Sequence, residues 1–321
     1  MRYLVPSDYM ADPAAHVFNG KLFIYPSHDW DSGIEENDSG DHFNMKDYHV
    51  FSLDDVENGE VTDHGVVLDV KDIPWAGRQL WDSDAAYKNG KYYLYFSLKD
   101  KNDIFRLGVA VSDKPQGPFV AQPDPIRGSY SIDPCVFEED SRHYIYFGGL
   151  WGGQLQRYKD NKAVDSGYYP ADGESAICAR AARLSDDMLQ FAHEPRAVVI
   201  LDKDGSHVKA GDTQKRFFEA SWMHKYNGKY YFSYSTGDTH FICYATGDNP
   251  YGPFTYQGVI LTPVAGWTTH HCITEFKGKW YLFYHDSVPS GGKTWLRSLK
   301  VTELKYNDDG TIQTINGTYG G

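Results

Sequence analysis

Five side chains able to carry acid–base or metal chemistry stand at one repeated place in this chain. Asp12, Asp84, Asp133, Glu219 and His271 each head a short apolar strand that runs into a polar turn and then into an aromatic strand. Four carboxyls and an imidazole directed at one small space are costly, because like charges in a partly desolvated site raise one another's pKa. Folding asks for no such cluster; catalysis or metal binding does. Hydrolysis of a glycosidic bond is one fitting chemistry, since it needs a neutral carboxylic acid and an ionised carboxylate side by side. Context divides the roles. Glu219 follows Phe217-Phe218 and precedes Trp222, an apolar wall that predicts a protonated carboxyl near neutral pH. Asp12, in Met10-Ala11-Asp12-Pro13, has no cation beside it in sequence and is left for the base. Asp133, in Ser131-Ile132-Asp133-Pro134, is placed to modulate the acid by its charge. An isolated Asp-Pro is most often a turn element; the shared phase within the repeat is what sets these apart.

The elements that must position them are hairpins. The turns read Asn19-Gly20-Lys21, Asn89-Gly90-Lys91, Ser141-Arg142-His143, Asn227-Gly228-Lys229 and Lys277-Gly278-Lys279. Asn-Gly between alternating strands is a strong hairpin signal, because both residues tolerate positive φ. Five copies in 321 residues give about 64 residues per unit, slightly more than familiar propeller repeats. A second echo supports repetition: Ser112-Asp113-Lys114-Pro115-Gln116-Gly117-Pro118-Phe119 returns as Gly247-Asp248-Asn249-Pro250-Tyr251-Gly252-Pro253-Phe254, with nearly the spacing that separates the turns at Gly90 and Gly228. These features predict an all-β chain folded as a five-bladed β-propeller, one domain over residues 1–321, with a two-sheet sandwich as the alternative. The first residue of each innermost strand then lies at one mouth of the central channel. One helical stretch is expected between Glu174 and Phe191, around Ala179–Arg183.

Composition narrows the partners. With 31 Lys+Arg against 44 Asp+Glu the net charge is −13, which disfavours nucleic acid and anionic membranes. No run of 18 apolar residues is present to span a bilayer. The 8 Trp, 25 Tyr and 17 Phe make up 16% of the chain, which suits strands and also the flat C–H faces of sugars. Cys135, Cys178, Cys243 and Cys272 form no CxxC pair and sit in or beside apolar runs, so buried free thiols are expected. The first residues show no apolar leader core, which predicts a cytoplasmic protein, or a periplasmic or secreted one if a leader was removed.

The motifs Ala11-Asp12-Pro13, Ser131-Ile132-Asp133-Pro134, Phe218-Glu219-Ala220 and His270-His271-Cys272-Ile273-Thr274-Glu275-Phe276, the last with its partner strand Trp280–His285, resemble those of glycoside hydrolase family 43. The resemblance runs from Tyr9 to about Val301. It implies general base, pKa-tuning and general acid roles for Asp12, Asp133 and Glu219 respectively. It also implies inversion of configuration, with base and acid about 6.5–9.5 Å apart across a water. By the same resemblance Arg297, in Thr294-Trp295-Leu296-Arg297-Ser298, holds the sugar at the cleavage subsite. His270 and Asp84 are carried with it as substrate contacts. His271 is matched to a channel histidine that ligates a hydrated Ca2+. Cys135 and Cys272 depart from the pattern without removing a functional group.

Aromatic side chains at Trp30, Trp75, Trp81, Phe217 and Trp267 are expected to wall a sugar pocket. An acidic, Gly-containing insertion from Asp29 to Asp41 and the loop Leu150–Gln154 are expected at its rim. The expected activity is that of an exo-glycosidase releasing xylose from short xylo-oligosaccharides. An α-L-arabinofuranosidase, an endo-acting arabinanase or xylanase, and a non-enzymatic lectin-like propeller are the alternatives. The partner is a small oligosaccharide, and the oligomeric state is left open.

Overall fold

The computed structural model describes residues 1–317 and resolves each sequence hairpin into the inner pair of one propeller blade. Blade one runs Met10–Phe18, Lys21–His28, Asp47–Leu53 and Thr62–Asp69. Blade two runs Ala76–Lys88, Lys91–Asp100, Phe105–Ser112 and Val120–Ala121. Blade three comprises Cys135–Glu139, Arg142–Phe147, Arg180–Arg183 and Arg196–Ala197. Blade four comprises Glu219–Tyr226, Lys229–Ser235, Ile242–Gly247 and Phe254–Leu261, with Ile200–Leu201 added in parallel outside. Blade five holds His271–Phe276, Lys279–Asp286 and Ser298–Leu304, and its outer strand is Arg2–Tyr3 from the opposite end of the chain. Arg2 pairs with Val301 and Tyr3 with Lys300, so the first and last segments close the ring in one sheet. The turn residues Asn19, Asn89 and Asn227 take φ of 54°, 51° and 47°, as the Asn-Gly signal requires.

The surplus of tyrosine has a structural cause. Tyr25, Tyr95 and Tyr146 sit on the second strands of blades one, two and three and are fully buried. Their hydroxyls donate to carbonyls of the following blade: Tyr25 to Pro115 at 2.7 Å, Tyr95 to Met188 at 2.8 Å and Tyr146 to Pro250 at 2.6 Å. A buried ring thus fills the gap between blades while its polar tip is satisfied. Pro115 and Pro250 belong to the echoed motif, whose second function is local. The amides of Phe119 and Phe254 donate to Val67 and Val199, both at 2.9 Å, which seats the motif against the segment before it.

Two expectations are corrected here. The stretch Ala179–Arg183 is no helix; Arg180–Arg183 is the third strand of blade three, pairing with Tyr144–Phe147 on one side. The helix propensity of Ala and Arg is a small term, and burial of Ala181 and Ala182 between neighbouring strands outweighs it. Asp84 is not at the mouth. It lies within the channel wall, where Oδ1 accepts from His16 Nε2 at 2.5 Å and from Ala85 N at 2.8 Å, and Oδ2 accepts from Val136 N at 2.5 Å. One carboxylate therefore ties blades one, two and three. Asp84→Ala is expected to cost roughly 3–5 kcal/mol, the usual loss when one member of a buried pair is removed, read as a lowered denaturant midpoint, while the folded fraction keeps its KM.

Candidate active site

The backbone aims the site residues by irregularities at the heads of the inner strands of blades one to four. The pairing of the first two strands shifts between Ala11 and Ala14, with Asp12 at φ 47° inside the bulge. In blade two the shift falls between Trp81 and Ser83 and turns Asp82 inward. In blade four it follows Glu219, with Ala220 at φ 60°. Asp133 itself has φ 59° just before its strand begins. Bulges re-aim side chains without unpairing the rest of the strand, and positive φ at non-glycine residues marks places where the surroundings over-determine the backbone.

These residues line one cavity of about 400 Å³. Its floor carries Asp12, Asp82, Asp133, Glu219, His270 and Arg297. The insertion supplies one side through Glu36, Asn37, Asp38, Gly40, His42 and Phe43. The opposite side is an aromatic wall in which Phe218, Trp151 and Trp267 contact one another at ring separations of 5.4–6.0 Å. Met45, Trp81 and Ile132 give the cavity an apolar part of its lining and cluster with the buried Phe105 behind them.

Arg297 is the buried cation of the site. Its Nε and Nη2 donate to Asp29 Oδ2 and Oδ1 at 2.9 and 2.7 Å, and its backbone N–H donates to the same carboxylate at 2.8 Å. Nη1 is left to reach Asp12 Oδ1 at 2.7 Å. The Asp12 amide donates to His285 Nδ1 at 3.1 Å, and burial with the nearby Arg297 charge keeps His285 neutral. Asp12 Oδ2 accepts nothing from the described residues. His270 Nδ1 lies 3.1 Å from Asp82 Oδ1. Burial opposes charge on both, yet the pairing wins: His270 is pushed up and Asp82 is held well below the ordinary carboxylate range.

The other carboxyls are driven the opposite way. Burial, and next the Asp82 charge, push Glu219 up to about 8. Burial raises Asp12 to about 7, with Arg297 opposing. Asp133 is raised well above its ordinary value by burial, Asp82 and Glu219. Its Oδ2 accepts the Ala220 amide at 2.7 Å, which pins the turn that directs Glu219. The Glu219 carboxyl itself makes no hydrogen bond to the described residues and faces the cavity. The arrangement holds one neutral acid and one more acidic carboxylate in the same walled space, which is the equipment for acid–base cleavage.

Of the residues expected from sequence, Asp12, Asp133, Glu219, Trp81, His270, Arg297, Trp267 and the 150–153 loop meet at this cavity. Trp75, Phe217 and Asp84 do not. Trp75 stacks on Phe96 at 6.0 Å in the flank of blade two, and Phe217 packs on Phe232 and Tyr234 in the core, leaving Phe218 to face the site. Consecutive strand residues point to opposite faces, so one of the Phe217-Phe218 pair had to turn away. Trp30 also lies outside, against His28. Asp82, Asp29, His285 and Phe43 were missed. Asp82 was legible: it stands as many positions before the Asn89 turn as Asp12 stands before Asn19 and His270 before Lys277.

His271 is fully buried one residue below the floor, with Nε2 2.6 Å from Ser233 Oγ and Nδ1 without a partner. Burial keeps it neutral. It shares no three-ligand cluster among the described residues, so it offers a metal one nitrogen only. The unpaired Nδ1 fits a hydrated ion whose remaining ligands are water.

Comparisons with known proteins give the family. A family model described as glycosyl hydrolases family 43 matches residues 37–312. The chain is 75% identical over 317 residues to a Bacteroides ovatus protein named xylosidase/arabinosidase, covering 98% of each. A solved β-xylosidase structure aligns with a TM-score of 0.98 at 74% identity, over 99% of both chains. Another aligns with a TM-score of 0.97 at 63% identity, over 99% of this chain and 98% of that one. It is a β-xylosidase/α-arabinofuranosidase from a compost microbial metagenome, in complex with xylotriose and in calcium-free form.

The charge on Asp82 raises Glu219 more than the His270 charge lowers it. Asp82→Asn is therefore expected to move the Glu219 midpoint down from about 8 toward its ordinary value, as read by carboxyl-carbon NMR of protein with labelled glutamate. An unmoved midpoint would show that burial alone sets it.

Proposed function

This chain belongs to glycosyl hydrolases family 43 and is a glycoside hydrolase; from that premise we propose that it releases xylose from the non-reducing ends of short xylo-oligosaccharides, with inversion. The observation that carries the reading is the pairing in one cavity of Asp12, whose Oδ1 is held by Arg297, with Glu219, which has no cation hydrogen-bonded to it. The Arg297 charge favours the ionised form of Asp12, while burial and the Asp82 charge favour the protonated form of Glu219.

Glu219 protonates the glycosidic oxygen as the C–O bond to the sugar breaks. A water that donates a hydrogen bond to Asp12 Oδ2 attacks from the opposite face, giving that proton to Oδ2 as its oxygen bonds to the anomeric carbon. Arg297 holds Asp12 Oδ1, which keeps Oδ2 free for that water. Asp133 acts as a positioning residue through the Ala220 amide, and the negative charge that tunes the acid comes first from Asp82. His270, charged by Asp82, presents its other ring nitrogen to a sugar hydroxyl. A cavity of about 400 Å³ is at the small end of ligand sites. Walled by the insertion on one side and Trp151, Phe218 and Trp267 on the other, it suits a chain end more than a chain passing through. His271 Nδ1 would hold a hydrated calcium ion, which when bound adds positive charge beneath the carboxyls.

The second reading, α-L-arabinofuranosidase activity in the same pocket, is favoured by the name of the Bacteroides ovatus relative. The test compares xylobiose, nitrophenyl β-xyloside and nitrophenyl α-arabinofuranoside. Glu219→Gln is expected to lose about 10²–10⁴-fold in kcat on xylobiose and much less on the nitrophenyl xyloside, whose leaving group needs little protonation. Asp12→Asn is expected to lose a similar factor on both. Equal losses of Glu219→Gln on the two xylosides would overturn the acid assignment, and turnover of the arabinofuranoside alone would replace xylose as the substrate.

The pH profile of kcat/KM should be a bell. It rises as Asp12 loses its proton, in a region raised above the ordinary carboxylate range, and falls as Glu219 loses its own near about 8. An acidic limb at the value of an exposed aspartate would remove Asp12 from the base role.

A further inference from the structure

We propose that blade one carries a transition-metal site of the zinc class, formed by His28, Asp47 and His49 and separate from the sugar-binding mouth. One ligand atom from each of the three lies within 4.8 Å of the other two. His28 ends the second strand of the blade, while Asp47 and His49 open the third, two positions apart and so on one face. His28 and Asp47 are buried and His49 is nearly so. The His28 and His49 rings stand 4.9 Å apart at 73°, close to the separation of about 5 Å that two imidazoles on one tetrahedral ion adopt at ordinary Zn–N lengths.

The surroundings are those of a metal site as well. His28 Nδ1 shares a 2.6 Å hydrogen bond with Asp47 Oδ1, which an ion replaces by moving the two ligand atoms apart, and its Nε2 lies 3.3 Å from Asp8 behind it. His49 Nδ1 is held by both oxygens of Asp63 at 3.0 and 3.2 Å, which leaves Nε2 without a hydrogen bond to the described residues. Carboxylates bound to the far nitrogens of ligating histidines fix ring orientation and raise ligand basicity. Three carboxylates, Asp8, Asp47 and Asp63, surround two imidazoles, a balance that a divalent cation completes. Two nitrogens and one carboxylate oxygen select zinc and its neighbours over calcium, whose sites are built from oxygen. Water supplies the fourth ligand, and Trp30 packs against His28 at 4.7 Å. Asp29, the residue after His28, is the one that grips Arg297, so an ion here braces the base of the active-site clamp.

This inference rests on blade one alone and is independent of the sugar specificity. Chelator-treated protein is titrated with zinc chloride by calorimetry and with cobalt chloride by visible absorption. Wild type is expected to bind with the intense visible bands of a tetrahedral cobalt site. His49→Ala and Asp47→Asn should each lose one equivalent of zinc and those bands, while His271→Ala retains both. Asp63→Asn, which removes no ligand, should weaken zinc about 10–100-fold. Circular dichroism checks that each variant is folded, and the two ligand variants act independently should one fail to fold. No zinc uptake by wild type, or the same stoichiometry and affinity in folded His49→Ala or Asp47→Asn, would overturn the site.

Discussion

Five carboxyls converge on one mouth of this propeller, and two cations answer them. Asp12, Asp29, Asp82, Asp133 and Glu219 face Arg297 and His270, nearly all out of contact with water. Unpaired charges buried this closely are too costly to persist. The chain resolves the excess by division. Asp29 takes most of Arg297, Asp82 takes His270, and Asp12 shares the remaining guanidinium nitrogen. Asp133 and Glu219 have no cation of their own, so they hold protons. A protonated carboxyl at Glu219 is therefore what remains once a fixed number of positive charges has been distributed, and the Asp82 charge reinforces it.

That distribution depends on distances which a strand cannot supply by itself. A regular inner strand would send alternate side chains along the channel wall, as it does for Asp84. The bulges at Asp12, Asp82 and Glu219 turn one residue out of that alternation at the head of each blade. The Asp133 bond to the Ala220 amide then links the bulge of blade four to blade three. Local strain at the mouth is tolerable because the ring beneath is closed twice over, by the Arg2–Tyr3 strand in blade five and by tyrosine hydroxyls that reach from blade to blade.

Much of this could be read in advance, and the misses share one cause. The hairpin turns are local signals carried by adjacent residues, so blade count and strand order followed from them. Asp12, Asp133 and Glu219 were found because each sits beside Pro or an aromatic pair at a repeated phase. Asp84 competes with Asp82 because Asp84-Ala85-Ala86 imitates the Asp12-Pro13-Ala14-Ala15 segment in composition, whereas Asp82 keeps the offset of Asp12 from its turn. Phe217 displaced Phe218 for a related reason, since which of two adjacent rings faces the site is a matter of register. The clamp of Asp29 on Arg297 joins residues from opposite ends of the chain, and no local pattern announces such a pair.

The insertion after Asp29 ties selection of the substrate to the chemistry. Its base is Asp29, which sets the position of Arg297 and through it Asp12. Its middle is fastened on one side by Asp31 to Lys293 and Trp295 near Arg297, and on the other by Asp41 to Arg78 of blade two at 2.6 Å. Between these anchors Glu36, Asn37 and Asp38 reach the cavity. The rim of the cavity and the carboxylate that grips Arg297 therefore belong to one continuous segment. The acidity of the insertion does not oppose a neutral pentose. It provides the anchors at Asp31 and Asp41.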